Sequence, residues 1–285
     1  MDERIGLVGY GAMGSAFCER LQANGVAPVV YDVALAALEA AASVGLPIAS
    51  SAAQLAVQSD LISVIVATDE QVLAVTLGEG GVLAGARPGS VVVLHSTILP
   101  ETTFEIARQA SGRGVHVVDA CACAIPAAVR AGRLHFLVGG DDNVVARVRP
   151  YLLLMAKDMY VIGGLGAGNV AKLIKQTVTA AETLVLWEMT QISETFGISY
   201  TAVLDMLRDT RVDHPSPIDR WERLFDASGA SPLPWSGWHV DKDVSLTAAL
   251  GQGEGLKLPL LTELRERAHA LKQCNEGRQW PPPTK

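Results

Sequence analysis

The chain has 285 residues, of which 49% are hydrophobic and 19% charged, and a formal net charge of -7. That length suggests about two domains, and the acidic balance argues against a nucleic-acid binder and against electrostatic docking on an anionic membrane. Four cysteines, Cys18, Cys121, Cys123 and Cys274, are too sparse for a disulfide framework, so a reduced, cytoplasmic setting is expected.

The opening Met1-Asp2-Glu3-Arg4-Ile5 leads straight into a strand without a basic and apolar leader, and no apolar run is long enough to span a bilayer. Strands are expected at 5–9, 28–31, 61–66, 91–94, 115–119 and 136–138. Helices are expected at 12–24, 35–43 and 101–110, the last opened by Pro100. Strands that are apolar without polar alternation suit a parallel sheet covered on both faces, and the alternation of strand and helix is the doubly wound pattern. Beyond about Gly163 the β-rich runs nearly vanish. A long helix is expected over 169–196, with further helices over 200–208, 242–250 and 260–271, while the tail Trp280-Pro281-Pro282-Pro283 cannot be helical. The fold expected is therefore an α/β Rossmann-type domain over residues 1–162 followed by an all-α domain over 163–285 that carries substrate contacts and the dimerisation surface.

Gly9-Tyr10-Gly11-Ala12-Met13-Gly14 fits the pattern G-x-G-x-x-G, directly after a strand and at the start of a helix. In that context Gly9 permits a tight turn, Gly11 lets backbone approach a pyrophosphate, and Gly14 lets helix and strand pack closely. The helix start offers free N–H groups to phosphate. Asp32 ends the second strand, where a carboxylate accepts hydrogen bonds from ribose hydroxyls and repels a 2′-phosphate. No Arg or Lys occurs between Arg20 and Arg87, so NAD is favoured over NADP. The plainer role for Asp32 is to cap the next helix.

A second glycine cluster, Gly163-Gly164-Leu165-Gly166-Ala167-Gly168-Asn169-Val170-Ala171-Lys172, precedes the long helix. Hydride transfer at a carbinol carbon needs a group that exchanges a proton with the oxygen, and a lysine withdrawn from water suits that role. Helix periodicity alone favours a solvated surface lysine. Cys121 and Cys123 form a C-x-C pair with no second pair nearby, which speaks against a metal site. Cys123 as a nucleophile lacks an evident His partner and reads better as a small apolar filler.

Taken in order, these motifs resemble the β-hydroxyacid dehydrogenase family, which includes 3-hydroxyisobutyrate dehydrogenases and tartronate semialdehyde reductases. The likeness runs through Gly6-Leu7-Val8-Gly9-Tyr10-Gly11-Ala12-Met13-Gly14, Tyr31-Asp32-Val33, His95-Ser96-Thr97-Ile98-Leu99-Pro100, Gly166-x-Gly168-x-x-x-Lys172 and Lys242-Asp243. The resemblance implies that Lys172 is the general acid/base and that Thr97 lies near the nicotinamide ribose. Val66 and Ala67 would contact the cofactor, as would Lys242. Ser96 and Asp243 would border the substrate. It also implies a homodimer or homotetramer with the long helix in or near the interface, its apolar run covered on several sides.

The family's substrate segment D-A-P-V-S-G-G departs here to Asp119-Ala120-Cys121-Ala122-Cys123-Ala124-Ile125. Cys123, a weak donor, stands for the serine, and Ala124 and Ile125 add side chains where glycines would let backbone approach the ligand. Gln176 replaces the asparagine one turn past Lys172. Trp235 and Trp238 are candidate aromatic walls, with core packing the alternative. The expectation is a small-molecule hydroxy or carbonyl substrate that is bulkier or less polar than 3-hydroxyisobutyrate. The competing readings are an imine reductase, whose family lacks the lysine and prefers NADP, and a dinucleotide-binding module without catalysis.

Overall fold

The computed structural model describes residues 3–211, 244–245, 248–249, 252 and 255–275. Two compact units result, Met1–Thr177 and Val178–Lys285. The first is built on a seven-stranded sheet of order β2-β1-β3-β4-β5-β6-β7. Its strands are β1 (Ile5–Val8), β2 (Val29–Tyr31), β3 (Leu61–Val64), β4 (Val91–Leu94), β5 (His116–Cys123), β6 (Leu134–Gly139) and β7 (Ala156–Gly163). The helices of this unit are α1 (Ala12–Ala23), α2 (Leu35–Ser43), α3 (Ala52–Val57), α4 (Asp69–Leu77), α5 (Val82–Gly85), α6 (Pro100–Ser111), α7 (Pro126–Arg130), α8 (Asp142–Met155) and the start of α9 (Ala167–Thr195). The second unit holds the rest of α9, with α10 (Tyr200–Arg211) and α11 (Pro259–Asn275).

The unalternating apolar strands have the predicted consequence. Successive residues feed opposite faces, and both faces are covered. Leu7, Val91 and Val93 join one core with Phe17 and Leu21 of α1 and Tyr151 of α8. Val8, Val92 and Leu94 join the other with Leu55 of α3, Val72 of α4 and Ile106 of α6.

The sheet departs from the expected parallel pattern at one place, where β5 and β6 pair antiparallel. The reason is connection length. Only α7 and short turns lie between them, too little chain for the crossover that parallel neighbours require. Strand β7, paired parallel to β6, was not expected from the sequence, nor were α3, α4, α5, α7 and α8. Most of these helices are short. Helix α8 contains Pro150, which reads locally as a breaker although the helix runs through it. The helix expected over 242–250 falls mostly outside the described residues, with Val244, Ser245, Ala248 and Ala249 helical. Helix α9, expected to be covered on several sides, leaves Val170, Ile174, Val178, Leu184 and Trp187 exposed in the single chain. No described helix is long and apolar enough to cross a membrane.

A polar chain threads the sheet interior. The Tyr151 hydroxyl lies 2.7 Å from Ser63 Oγ, and Ser63 Oγ lies 2.8 Å from His95 Nε2. His95 Nδ1 lies 2.8 Å from the Ala120 carbonyl oxygen, which only accepts, so Nδ1 carries the proton and Nε2 accepts from Ser63. The ring meets Phe17 and Phe136. Burial pushes its pKa down to about 4, against the opposing pull of the Ala120 carbonyl. An unfolded histidine titrates near 6.5, so the unfolded chain binds the extra proton first. This contribution to stability is intact above about pH 6.5 and is lost as pH falls toward 4, by about 3 kcal/mol. In urea titrations, the stability difference between wild type and His95→Gln should shrink by that order between pH 7 and pH 4. An unchanged difference would contradict the neutral, buried ring.

Candidate active site

The turn after β1 lies where the sheet order reverses between β1 and β3, the crevice in which open α/β sheets hold ligands. A cavity of about 530 Å³ opens there. It is lined by Gly9, Gly11, Ala12, Met13 and Gly14, by Asp32 at the end of β2, and by Ile65, Val66, Ala67 and Gln71 beyond β3. Each glycine of the motif has its own physical reason. Gly9 has φ +100°, and a Cβ there would sit 2.2 Å from the Ile65 carbonyl oxygen. A Cβ on Gly14 would sit 1.9 Å from the Gly9 carbonyl oxygen. A Cβ on Gly11 would meet nothing within 4 Å, so this position faces open space. No side chain caps α1, whose N-cap is Gly11. Its first amides and dipole are therefore available to an anion in the cavity. These features fit a dinucleotide pyrophosphate.

Asp32 is held in place by backbone. Its Oδ2 accepts the Tyr10 N–H at 2.6 Å and its Oδ1 accepts the Ala34 N–H at 2.8 Å. The N-cap of α2 is Ala34, so the capping residue is not Asp32 itself. A carboxylate retains further lone pairs for ribose hydroxyls. Tyr10 is buried and contributes its amide to Asp32 without lining the cavity. Gln71 accepts the Ala67 N–H at 2.9 Å and shapes the same wall, although no motif in the sequence marks it.

Ser96, expected at the substrate, is buried and engaged with the cavity wall. It accepts the Val66 N–H at 3.0 Å and donates to the Val66 carbonyl at 2.8 Å. Thr97 is exposed and does not line the cavity. From Ser96 a chain of contacts leads to α9. Cys121 Sγ lies 3.5 Å from the Ser96 carbonyl, and Asn169 Nδ2 lies 3.3 Å from Cys121 Sγ. Burial pushes the Cys121 thiol up to about 12, which keeps it protonated and inert.

Lys172 is not the solvated surface residue that helix periodicity favours. It is 7% exposed, and its Nζ donates to the Ala122 carbonyl at 2.6 Å and lies 3.9 Å from Cys123 Sγ. Cys123 and Ala124 are half-buried, and Ile125 is exposed at the end of β5. Gln176, one turn further along α9, is exposed, with its side-chain oxygen 3.2 Å from Lys175 Nζ. The structure thus gathers the glycine motif, Asp32, Val66 and Ala67 around one cavity, and Lys172 with Cys123 at the end of β5. Trp235, Trp238, Lys242 and Asp243 lie outside the described residues. No group of three or more His, Cys, Asp or Glu side chains among the described residues is placed to hold a metal ion.

The glycine geometry separates a binding position from a folding one. Gly11→Ala should leave the melting temperature nearly unchanged and weaken dinucleotide binding. Gly14→Ala should destabilise the unit by about 2 kcal/mol or more through overpacking. Thermal melts beside fluorescence titration with NADH check both, and equal melting temperatures for the two variants would contradict the assignment.

Comparison with known proteins agrees with this geometry. The family described as the NAD binding domain of 6-phosphogluconate dehydrogenase matches residues 4–163. A probable 3-hydroxyisobutyrate dehydrogenase-like protein of Arabidopsis thaliana is 31% identical over 72% of this chain and 69% of its own length. A solved 3-hydroxyisobutyrate dehydrogenase of Mycobacterium tuberculosis, crystallised with L-serine, is 25% identical, covers 96% of this chain and 94% of its own, and superposes with a TM-score of 0.67. An imine reductase from Pseudomonas sp. shares the fold, with a TM-score of 0.81 over 98% of this chain and 96% of its own, at 17% identity. The dinucleotide-binding domain on a doubly wound sheet and these relatives together make the chain a member of the 3-hydroxyisobutyrate dehydrogenase-like oxidoreductases.

Proposed function

We propose that this oxidoreductase interconverts a hydroxy acid or related alcohol and its carbonyl, with NAD as the preferred cofactor and Lys172 as the general acid/base. The observation that carries this reading is the buried Lys172 amine, tied at 2.6 Å to the Ala122 carbonyl. An ammonium has three donors. One is spent on Ala122 and a second faces Cys123 Sγ at 3.9 Å, which fixes the amine and leaves a donor for a substrate oxygen. In the reductive direction the amine delivers a proton to that oxygen, and in the oxidative direction it withdraws one. The nicotinamide, when bound, supplies or accepts the hydride. Asp32 supports NAD over NADP, because an anchored carboxylate at the ribose end of the cavity repels a 2′-phosphate. The exchange of serine and two glycines for Cys123, Ala124 and Ile125 supports a substrate less dependent on carboxylate recognition than 3-hydroxyisobutyrate. Assembly of two or four copies, checked by light scattering, belongs to the same reading.

Lys172→Ala should lower kcat by about a hundredfold or more, with NADH affinity nearly unchanged. Retention of wild-type turnover would remove the lysine from the mechanism. Asp32→Asn should reduce the preference of kcat/KM for NAD over NADP by about tenfold. A panel of hydroxy acids and their less polar analogues, run beside a cyclic imine, tests the substrate class. Fast turnover of plain 3-hydroxyisobutyrate with no gain from larger analogues would count against the pocket argument. Turnover of the imine alone would favour the reductase chemistry suggested by the shared fold.

A further inference from the structure

Asp119 has no part in the chemistry above, yet it is fully buried at the centre of β5. Its Oδ1 accepts the Gly166 N–H at 2.7 Å and its Oδ2 accepts the Asn169 N–H at 2.8 Å. Both amides belong to the turn that opens α9, where backbone donors have no partner within the helix and the dipole favours an anion. The surroundings are shaped to admit this carboxylate. A Cβ on Gly139 would lie 2.7 Å from Oδ1 and a Cβ on Gly168 would lie 2.7 Å from Oδ2. Gly166, at φ +85°, is pressed against the Phe104 ring of α6. The glycines of the G-x-G step before Lys172 therefore serve close packing of α9 on β5 and α6.

From this anchored turn the chain reaches the site in one helical step. Asn169 is fully buried, accepts from Thr103 Oγ1 at 2.7 Å and reaches Cys121 with its amide nitrogen. Three residues later Lys172 lands on Ala122. Asp119, Cys121 and Ala122 all lie on β5, so the start of α9 and the tip of its lysine are tied to the same strand.

We propose that Asp119 is the positioning residue for Lys172: by holding the first turn of α9 on β5 it sets where the amine stands for proton transfer. The proposal rests on the acid/base reading of Lys172, and the experiment separates the two. A misplacement of about 1 Å at a reacting group can cost about a hundredfold in rate, so a carboxylate remote from substrate can govern kcat.

The test compares wild type, Asp119→Asn, Thr103→Val, Lys172→Ala and the double variant Asp119→Asn/Lys172→Ala, all as the full chain. Asparagine keeps the shape but replaces one acceptor with a donor facing an N–H. Asp119→Asn should lower kcat by about a hundredfold while KM and NADH affinity move little. Added to Lys172→Ala it should cost less than about twofold more, since two changes acting through one amine are not additive. Reductive methylation with formaldehyde and cyanoborohydride, mapped by peptide mass spectrometry against exposed Lys157, should modify Lys172 about fivefold faster once its tether is loosened. Thr103→Val should give the same pattern at smaller size, and it carries the test if Asp119→Asn does not fold. Unchanged labelling of Lys172 in the folded variants, or a full multiplicative effect of Asp119→Asn on the Lys172→Ala background, would overturn the proposal. If Lys172→Ala alone keeps wild-type turnover, the acid/base reading falls and the labelling still decides whether Asp119 places the amine.

Discussion

A carboxylate with no access to water sits beneath the first turn of α9, bonded to two of its backbone amides. Burying a charge is expensive unless it is met by donors and a favourable field, and a helix N-terminus supplies both. Burial pushes the Asp119 carboxyl up, and the amides of Gly166 and Asn169 pull it back. The arrangement leaves little freedom, because the strand, the helix and the glycines between them must all be in register for the carboxylate to be satisfied. The second unit repeats the device. Glu188 of α9 is buried and accepts the Leu260 and Leu261 amides at the start of α11, at 2.8 and 2.7 Å.

The dinucleotide cavity and the head of α9 share one scaffold. Val66, in the wall of the dinucleotide cavity, is bonded to Ser96, whose carbonyl meets Cys121, which in turn meets Asn169. These links run across β3, β4 and β5, so the cavity wall and the head of α9 belong to one packed network. The His95 chain lies under the same strands and fixes Ala120 between Asp119 and Cys121. Polar groups inside a low-dielectric core hold geometry well when every donor and acceptor is paired. Here they hold β5, the strand against which the lysine rests.

The fold is shared both with imine reductases and with 3-hydroxyisobutyrate dehydrogenase-like proteins, and one architecture hosts several reactions. What is particular to this chain is local. An anchored Asp32 at the cavity, an amine at the end of β5 and the segment from Cys121 to Ile125 are features of individual side chains.

The dinucleotide half was legible because its signals are local. A tight turn, a helix start and a carboxylate 18 residues past Gly14 follow from short-range sterics and hydrogen bonding. The apolar strands likewise announced a sheet covered on both faces. The antiparallel direction of β6, the edge strand β7 and the proline-containing α8 escaped, since pairing direction and tolerance of Pro150 depend on neighbours distant in sequence. The same limit applied at the site. Spacing made Lys172 look like a surface residue, Asp119 served only to align a segment, and Gln71 gave no signal. The sequence by itself determined which backbone positions admit no side chain and where the sheet's apolar residues lie. Tertiary structure alone decided that Asp119 sits under α9 and that Lys172 is withdrawn from water, because burial and hydrogen bonding come from chain segments about fifty residues apart meeting in space.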